Sequence, residues 1–212
     1  MKKEIKKSLY LGIGSLVLFV VWTVLLRTVD RQAIGPQRSV VGFATLNRTV
    51  HRLFGVHMSL YTVTDWLGLV PIAIIFGFGV LGLAQLITRR KILDVDRDII
   101  ALGAFYVSVL AVFLLFEILV INYRPILIEG ALEASYPSST TMLAMCVMPS
   151  AMMQFKKRIK NSVLRQIVLC LCAVFTVFMV IARLISGVHW ITDIIGGALI
   201  STALVMIYYT YK

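Results

Sequence analysis

Six apolar segments divide this chain, and they leave it few ways to fold. They cover approximately residues 9–26, 66–87, 99–121, 139–155, 166–185 and 191–209, and 59% of the 212 residues are hydrophobic. Most of these segments are long enough to cross the apolar core of a bilayer, where only helices and closed barrels satisfy every backbone polar group. The sequence therefore predicts an all-α integral membrane protein, a single domain over residues 1–212 built as a six-transmembrane-helix bundle.

Basic residues are concentrated on one side of the predicted bundle. Most of the 21 lysines and arginines fall in the N-terminal tail, in the connections after the second and fourth segments, and at Lys212. By the positive-inside rule that side is cytoplasmic, so both termini are expected there. The net charge of +11 is then a topology signal, and nucleic-acid binding is not predicted. We expect a multi-pass plasma-membrane protein, and its short loops and compact size favour a bacterial one.

The longest connection, residues 27–65, lies on the opposite, outer side of the predicted bundle. Apolar residues recur there at helical spacing, at Phe43, Leu46, Val50 and Leu53, with polar residues on the other faces. This pattern predicts an interfacial amphipathic helix in the first outer loop. The helix is either a tether on the membrane surface or a rim over a lipid site.

Three polar motifs fall at the outer ends of the predicted helices, within residues 122–125, 136–141 and 183–193. Ionisable groups are costly in a membrane and mark functional sites. Each motif also has an ordinary explanation, as a helix stop, an N-cap or a snorkelling arginine. Their common face favours a single pocket that binds an anion.

The residue types in these motifs suit a phosphate group. Arg124 and Arg183 can hold phosphate oxygens through paired hydrogen bonds. Ser138 stands at the start of the fourth helix, where free N–H groups attract anions. His189 and Asp193 are four residues apart, so they are predicted to touch on one helix face. A neutral His189 could then attack phosphorus while Asp193 holds its tautomer and stabilises the developing cation.

These motifs resemble those of the membrane branch of the type 2 phosphatidic acid phosphatase superfamily. The family pattern is K-x6-R-P, then P-S-G-H, then S-R-x5-H-x3-D, and it corresponds to residues 117–193 here. The resemblance implies that His189 is the nucleophile and forms a phosphohistidine, oriented by Asp193. The residues expected to bind the substrate phosphate are Arg124, Ser138, Ser139 and Arg183. No metal or cofactor is predicted, because carboxylates and histidines do not cluster at ligand spacing.

The chain departs from the family pattern at two positions that matter for chemistry. Thr140 replaces the histidine that serves as the family's general acid, and Glu117 replaces the lysine of the first motif. Loss of a general acid costs roughly 10²–10⁴ in rate. Glu117 either pairs with Arg124 or stays protonated through burial, in which case it could donate the missing proton. His51 and His57 are other sources of that proton.

The expected function is that of an outer-leaflet lipid phosphatase or phosphotransferase. A lipid diphosphate, such as a molecule like undecaprenyl pyrophosphate, should suffer least from the missing acid, because a phosphate monoester with a second pKa of about 6 is a good leaving group. The alternative is a catalytically weakened protein that binds a lipid phosphate as carrier, sensor or assembly partner. A transporter without phosphate chemistry would leave the three motifs unexplained. The sequence does not indicate an oligomeric state.

Overall fold

The structure is a computed structural model that describes residues 2–211, and helices dominate it. Within that range it contains isolated β-bridges but no strand. The α-helices of the described residues are α1 (Lys2–Leu26), α2 (Ala44–Phe54), α3 (Met58–Leu67), α4 (Leu69–Arg89), α5 (Arg97–Ile118), α6 (Ser139–Arg158), α7 (Ser162–Ile185) and α8 (Ile191–Tyr211). Short 3₁₀ turns lie at Pro36–Arg38 and Ile92–Asp94. The predicted all-α class is confirmed.

Five stretches of the described chain are long and apolar enough to cross a membrane. They are Lys3–Leu26, Met58–Arg89, Arg97–Ile118, Ser162–Ile185 and Ile191–Tyr211. Five of the six predicted membrane spans are therefore found among the described residues. The segment that fails is α6, which begins with three hydroxyl residues and ends with three basic ones. It packs against α4, α5, α7 and α8, and a helix enclosed by other helices does not need the apolarity of one that faces lipid.

The second span begins earlier than the sequence predicts. The predicted outer connection, residues 27–65, ends at residue 57 because α3 starts at Met58 and runs into α4. Polar side chains within α3 lower the mean hydropathy of residues 58–67, so the sequence did not predict that the span begins there. Their hydroxyls bond to carbonyls one turn earlier: Thr62 donates to Met58 at 3.0 Å and Thr64 to Leu60 at 3.0 Å. Bonding of this kind lets hydroxyl side chains occupy a helix without an external partner.

The amphipathic helix predicted in the first outer loop is α2. Its buried polar residue is Asn47, whose amide donates to Gly42 O at 2.8 Å and to Thr192 Oγ1 at 3.0 Å. Leu46 and Leu53 point away from the bundle and are exposed. The helix is thus fixed to the start of α8 by polar contacts, and its apolar face is free to meet a membrane surface.

The first and last helices run antiparallel and pack along their whole length. Ser8 Oγ lies 3.4 Å from Met206 O near one end, and Trp22 Nε1 donates to Thr192 O at 3.2 Å near the other. The end at which α8 begins also receives α2, the 119–138 connection and the start of α6. We call it the site end, because all three polar motifs lie there.

Basic residues lie at the opposite end, which we call the basic end. Ion pairs join the helices there, with Arg89 2.9 Å from Asp96 and Arg158 3.1 Å from Asp98. The pKa of the Asp96 carboxyl is lowered by hydrogen bonds from Arg89 and Gln85. Lys212, counted above with the basic residues, lies outside the described residues. The helix directions place the polar motifs and the basic connections at opposite ends of the bundle, as the sequence predicts.

Candidate active site

The 119–138 connection folds back on itself and brings the first and second motifs together. The Arg124 N–H donates to Glu133 O at 3.1 Å, and the Ser135 N–H donates to Asn122 O at 2.9 Å. This pairing places Asn122, Arg124 and Ser135 side by side, although the sequence analysis assigned a role only to Arg124.

The second motif lies directly on α8 because two consecutive glycines leave room for it. A Cβ atom at Gly196 would overlap the Tyr136 ring, and one at Gly197 would lie 3.1 Å from Ser138 O. The Ser138 N–H donates to Asp193 O at 3.0 Å. The second motif is therefore held against the first turn of α8, where the third motif ends.

The turn between α7 and α8 carries His189 and is held by the α2–α3 connection. Gly187 has a φ of +69°, which favours glycine, and a Cβ atom there would overlap Gly55 O. The His57 N–H donates to Ser186 O at 3.0 Å. The imidazole of His51 contacts Gly187 O at 3.1 Å through Nε2. The predicted helix of the outer loop thus supports the turn that contains the predicted nucleophile.

The two other histidines were alternative proton donors in the sequence analysis. His51 Nε2 contacts Gly187 O, and His57 Nε2 contacts Phe54 O at 2.8 Å. Both nitrogens are therefore engaged with backbone carbonyls. The contacts account for these histidines as parts of the loop that supports the His189 turn.

His189 and Asp193 are close but do not hydrogen-bond to each other. Their nearest atoms, Nδ1 and Oδ2, are 3.9 Å apart, which exceeds hydrogen-bond length. His189 precedes α8, which begins at Ile191, so the two residues do not share a helix face as the spacing predicted. Ser135 Oγ fills the gap, 3.0 Å from His189 Nδ1 and 2.5 Å from Asp193 Oδ2. The predicted direct contact between His189 and Asp193 is therefore wrong, and no sequence motif indicates the intervening Ser135.

The Asp193 carboxylate is fully buried and surrounded by donors. Besides Ser135, it accepts hydrogen bonds from Asn122 Nδ2 at 3.1 Å and from the Trp190 N–H at 3.0 Å. The Trp190 bond also caps the start of α8. The three donors fix the carboxylate in position and offset part of the cost of burying its charge.

Arg124 lies on the other side of the His189 ring. Its Nη1 is 3.4 Å from His189 Nε2, and its Nε is 2.9 Å from a Glu133 carboxylate oxygen. Glu117 does not take part in this ion pair, because α5 ends at Ile118 and the chain turns before Arg124. The alternative in which Glu117 pairs with Arg124 is therefore wrong.

Glu117 is exposed on α5, so the burial that was expected to keep it protonated is also absent. Its side chain lines a small void together with Ser135, Ser139 and His189. The residue at the family's lysine position thus faces the predicted nucleophile, but it carries the opposite charge.

Arg183 is buried at the end of α7, and its partners come from α3. Nη1 donates to Thr64 Oγ1 at 3.0 Å, the guanidinium stacks 4.7 Å from the centre of the Tyr61 ring, and Nη2 lies 4.0 Å from the exposed Asp65 carboxylate. Its Nε has no hydrogen-bond partner among the described residues. These three partners were placed in a loop by the sequence analysis, so their roles could not be foreseen.

The remaining predicted phosphate ligands lie in the first turn of α6. Ser138 is fully buried and caps the helix by accepting a hydrogen bond from the Thr141 N–H at 3.4 Å. Ser139 and Thr140 follow and are partly exposed. The cap is the ordinary explanation for Ser138, and the hydrogen bond shows that it operates. Phosphate binding by Ser138 and Ser139 stays a prediction.

An apolar groove runs between α4 and α5 with a volume of about 1110 Å³. Asp65, Ser139 and Thr140 line its end next to the site, and Ile92 and Val95 line its end near the basic connections. The groove therefore extends along most of α4 and opens beside the first turn of α6.

The His189 imidazole is held neutral. Burial lowers its pKa well below the ordinary value of 6.5, and the positive charges of Arg124 and Arg183 lower the pKa further. A neutral imidazole has a free lone pair, as a nucleophile requires.

Among residues 2–211 no group of three or more histidine, cysteine or acidic side chains is arranged to hold a metal ion.

Comparisons with known proteins agree with the motifs. The sequence profile of the PAP2 superfamily matches residues 73–212, which confirms the predicted resemblance. The crystal structure of a transmembrane PAP2-type phosphatidylglycerolphosphate phosphatase from Bacillus subtilis matches the fold with a TM-score of 0.67, at 16% sequence identity and over 94% of each chain. Comparison with curated proteins found no match.

We predict that His189 stays neutral at pH values where an ordinary histidine is half protonated, near 6.5. Its folded-state pKa is lowered by burial and by two guanidinium groups. Because the folded pKa lies below the unfolded one, the stability linked to this group is fully present above pH 6.5 and is lost as the pH falls through the folded pKa. NMR titration of ¹⁵N-histidine-labelled protein measures the pKa, with His51→Asn and His57→Asn used to assign signals. Protonation of His189 at or above pH 6.5 would contradict the prediction.

Proposed function

The chain belongs to the PAP2 superfamily, and on that premise we propose that it is a lipid phosphatase or phosphotransferase whose nucleophile is His189. The substrate is a membrane lipid phosphate or diphosphate whose headgroup lies at the outer leaflet. The observation that carries the proposal is the geometry of the buried His189 ring, whose Nε2 lies 3.4 Å from Arg124 Nη1 and whose Nδ1 is linked to Asp193 through Ser135. The following contacts support each part of it.

The two arginines supply the anion site. Arg124 and Arg183 are 8% and 1% exposed, and only Arg124 has a close ion pair, with Glu133. Buried cations are costly unless an anion compensates them. A phosphoryl group placed between them would accept hydrogen bonds from both and would offer an acceptor to the unpartnered Nε of Arg183. The remaining oxygens are proposed to accept from backbone N–H groups at the start of α6, as anions do at helix N-termini.

The proposed reaction is an attack of His189 Nε2 on phosphorus. The N–P bond forms as the bond from phosphorus to the leaving oxygen breaks, and a phosphohistidine results. Hydrolysis of that intermediate by water releases inorganic phosphate and restores the imidazole. Transfer to another hydroxyl in place of water would make the protein a phosphotransferase. The charge that develops on phosphoryl oxygens is balanced by Arg124 and Arg183, so no metal is required.

The lipid chain is proposed to lie in the groove between α4 and α5. This groove is lined mostly by apolar residues and ends at Ser139 and Thr140, where the phosphate would be bound. About 20 helical residues cover roughly 30 Å, the thickness of the apolar bilayer core. A long hydrocarbon chain could therefore follow the groove while its headgroup reaches His189.

The substrate preference follows from the missing general acid. The Thr140 hydroxyl is too weak an acid to protonate a departing alkoxide at neutral pH. Among the described residues, Glu117 is the one acidic side chain that lines the small void beside His189. A diphosphate loses a phosphate monoester, which leaves without prior protonation more easily than an alkoxide does. We therefore propose a lipid diphosphate, of the undecaprenyl pyrophosphate kind, as the preferred substrate.

A second candidate function rests on the same substitutions. Glu117 and Thr140 in place of the family lysine and histidine would weaken catalysis, and the arginines alone would suffice to bind a lipid phosphate. The protein would then be a carrier, sensor or assembly partner. Binding alone does not need a histidine whose Nδ1 is tied to a carboxylate through a hydroxyl, so the ordered contacts of His189 favour the enzyme.

The proposal predicts phosphate release from a lipid diphosphate by the purified protein in detergent without added metal. We expect lipid monophosphate and phosphatidic acid to react roughly 10²–10⁴ times more slowly, because both need the missing acid. His189→Ala should lower release by at least roughly 10³-fold. Ser108→Ala is the control, since Ser108 is exposed on α5 and its hydroxyl bonds to Ala104 O.

Two outcomes of this assay would contradict the proposal. Equal or faster turnover of the monophosphate lipid would show that the leaving group does not determine the substrate preference. No release from any of the three lipids, by folded protein that still binds them, would establish the binding function in place of the enzyme.

A second prediction concerns restoration of the missing acid by Thr140→His. Phosphatidic acid turnover should rise at least about 10-fold, because the imidazole can protonate the alkoxide. Diphosphate turnover should change by less than about 3-fold, because its leaving group does not depend on that proton. Thr140→Gln is a control of similar size without a titrating group. An equal gain for both substrates, or a gain in the Gln variant, would show that the effect is not proton donation.

A further inference from the structure

We propose that Ser135 is a positioning residue that links His189 to Asp193 and sets the tautomer of the nucleophile. The catalytic consequence of this inference rests on the proposed function, whereas the tautomer itself does not. No part of the three family motifs contains Ser135, which precedes the second motif by two residues.

The hydrogen-bond directions follow from what each group can donate. The Asp193 carboxylate, which accepts from Asn122 Nδ2 and the Trp190 N–H, can only accept from Ser135 as well. The single proton of the Ser135 hydroxyl therefore goes to Asp193 Oδ2, at 2.5 Å. Toward His189 Nδ1, at 3.0 Å, the same oxygen has only lone pairs to offer, so Nδ1 must carry a proton.

This assignment leaves the lone pair of His189 on Nε2. That atom faces Arg124, whose Nη1 is 3.4 Å away. Arg124 can only donate, so its Nη1 is compatible with a lone pair on Nε2. A phosphoryl group bound on the arginine side would bring its phosphorus to the same lone pair. With the opposite tautomer Nε2 would carry the proton and could not attack.

Several contacts hold Ser135 in place independently of His189. Its N–H donates to Asn122 O at 2.9 Å, and the next residue, Tyr136, is packed against Gly196 and bonded to Thr23 Oγ1 at 2.7 Å. Ser135 is 3% exposed.

The link also matters after the attack. When Nε2 bonds to phosphorus, positive charge develops on the ring and must be stabilised through the Nδ1 proton. With Ser135 present, Nδ1–H donates to the Ser135 oxygen and the Ser135 hydroxyl donates to Asp193. These two hydrogen bonds let the negative charge of Asp193 stabilise the positive ring. Without Ser135, Nδ1 and Oδ2 remain 3.9 Å apart, with no donor or acceptor between them.

Ser135→Ala is therefore expected to lower kcat on the order of 10- to 100-fold, as removal of a group that orients a reactive ligand does. KM should change little, because the Ser135 hydroxyl bonds to His189 and Asp193 rather than to the proposed phosphate ligands Arg124 and Arg183. Ser135→Thr keeps the hydroxyl and should restore most of kcat. Ser108→Ala is the matched control, since Ser108 is exposed on α5 and its hydroxyl bonds only to Ala104 O.

The decisive readout is the ¹⁵N chemical shift of the His189 ring in histidine-labelled protein at pH 7.5. Wild-type and Ser135→Thr protein should show the proton on Nδ1, and Ser135→Ala protein should show a shift toward the Nε2 form. A proton on Nε2 in wild-type protein would overturn the inference without any variant. An unchanged tautomer in folded Ser135→Ala protein would also overturn it, even if kcat fell.

These readouts separate the inference from the proposed function. If His189→Ala protein kept full activity, the proposed nucleophile would be wrong while the tautomer result stood. If His189→Ala protein were inactive and Ser135→Ala protein kept both kcat and tautomer, the nucleophile would stand and the role of Ser135 would be refuted.

Discussion

Two buried guanidinium groups beside a neutral imidazole determine what the site end of this bundle can do. Burial and the charges of Arg124 and Arg183 lower the pKa of His189, so the charges proposed to attract an anion also favour the unprotonated form of the proposed nucleophile. Each cation is held from outside the site, Arg124 by Glu133 and Arg183 by Thr64 and Tyr61. A phosphoryl group bound between the two guanidinium groups would accept hydrogen bonds from both, which is why we propose it as the ligand.

The close packing of α8 against the second motif is what brings these groups together. Gly196 and Gly197 admit Tyr136 and Ser138 against the helix, and this contact carries Ser135 to the carboxylate of Asp193. The outer loop acts from the other side, because α2 and the start of α3 hold the turn that contains His189. Fold and chemistry are therefore coupled through short contacts between segments that are far apart in sequence. A bulkier residue at position 196 would displace the second motif and the hydroxyl with it.

The sequence was sufficient to predict the helical membrane class, most helix positions and the end of the bundle where the polar motifs meet, because these follow from apolar length and charge placement. The sequence did not predict α3, because Thr62, Thr64 and Asp65 lower the hydropathy of this helix. It also misplaced the partner of Arg124, because the pairing with Glu133 depends on how residues 119–138 fold back. The contact between His189 and Asp193 was expected to be direct on the assumption of a continuous helix. The actual start of α8 at Ile191 could be read only from the fold, as could the insertion of Ser135.

The central claim, that His189 is a covalent nucleophile, is tested most directly by trapping the intermediate. Purified protein would be mixed with a lipid diphosphate carrying ³²P in its terminal phosphoryl group, quenched in base within milliseconds and digested for peptide mapping. The account predicts a label that is stable in base, labile in acid and located on the peptide that contains His189. Rapid release of labelled phosphate with no label on the protein at any quench time, or with the label on another residue, would contradict it.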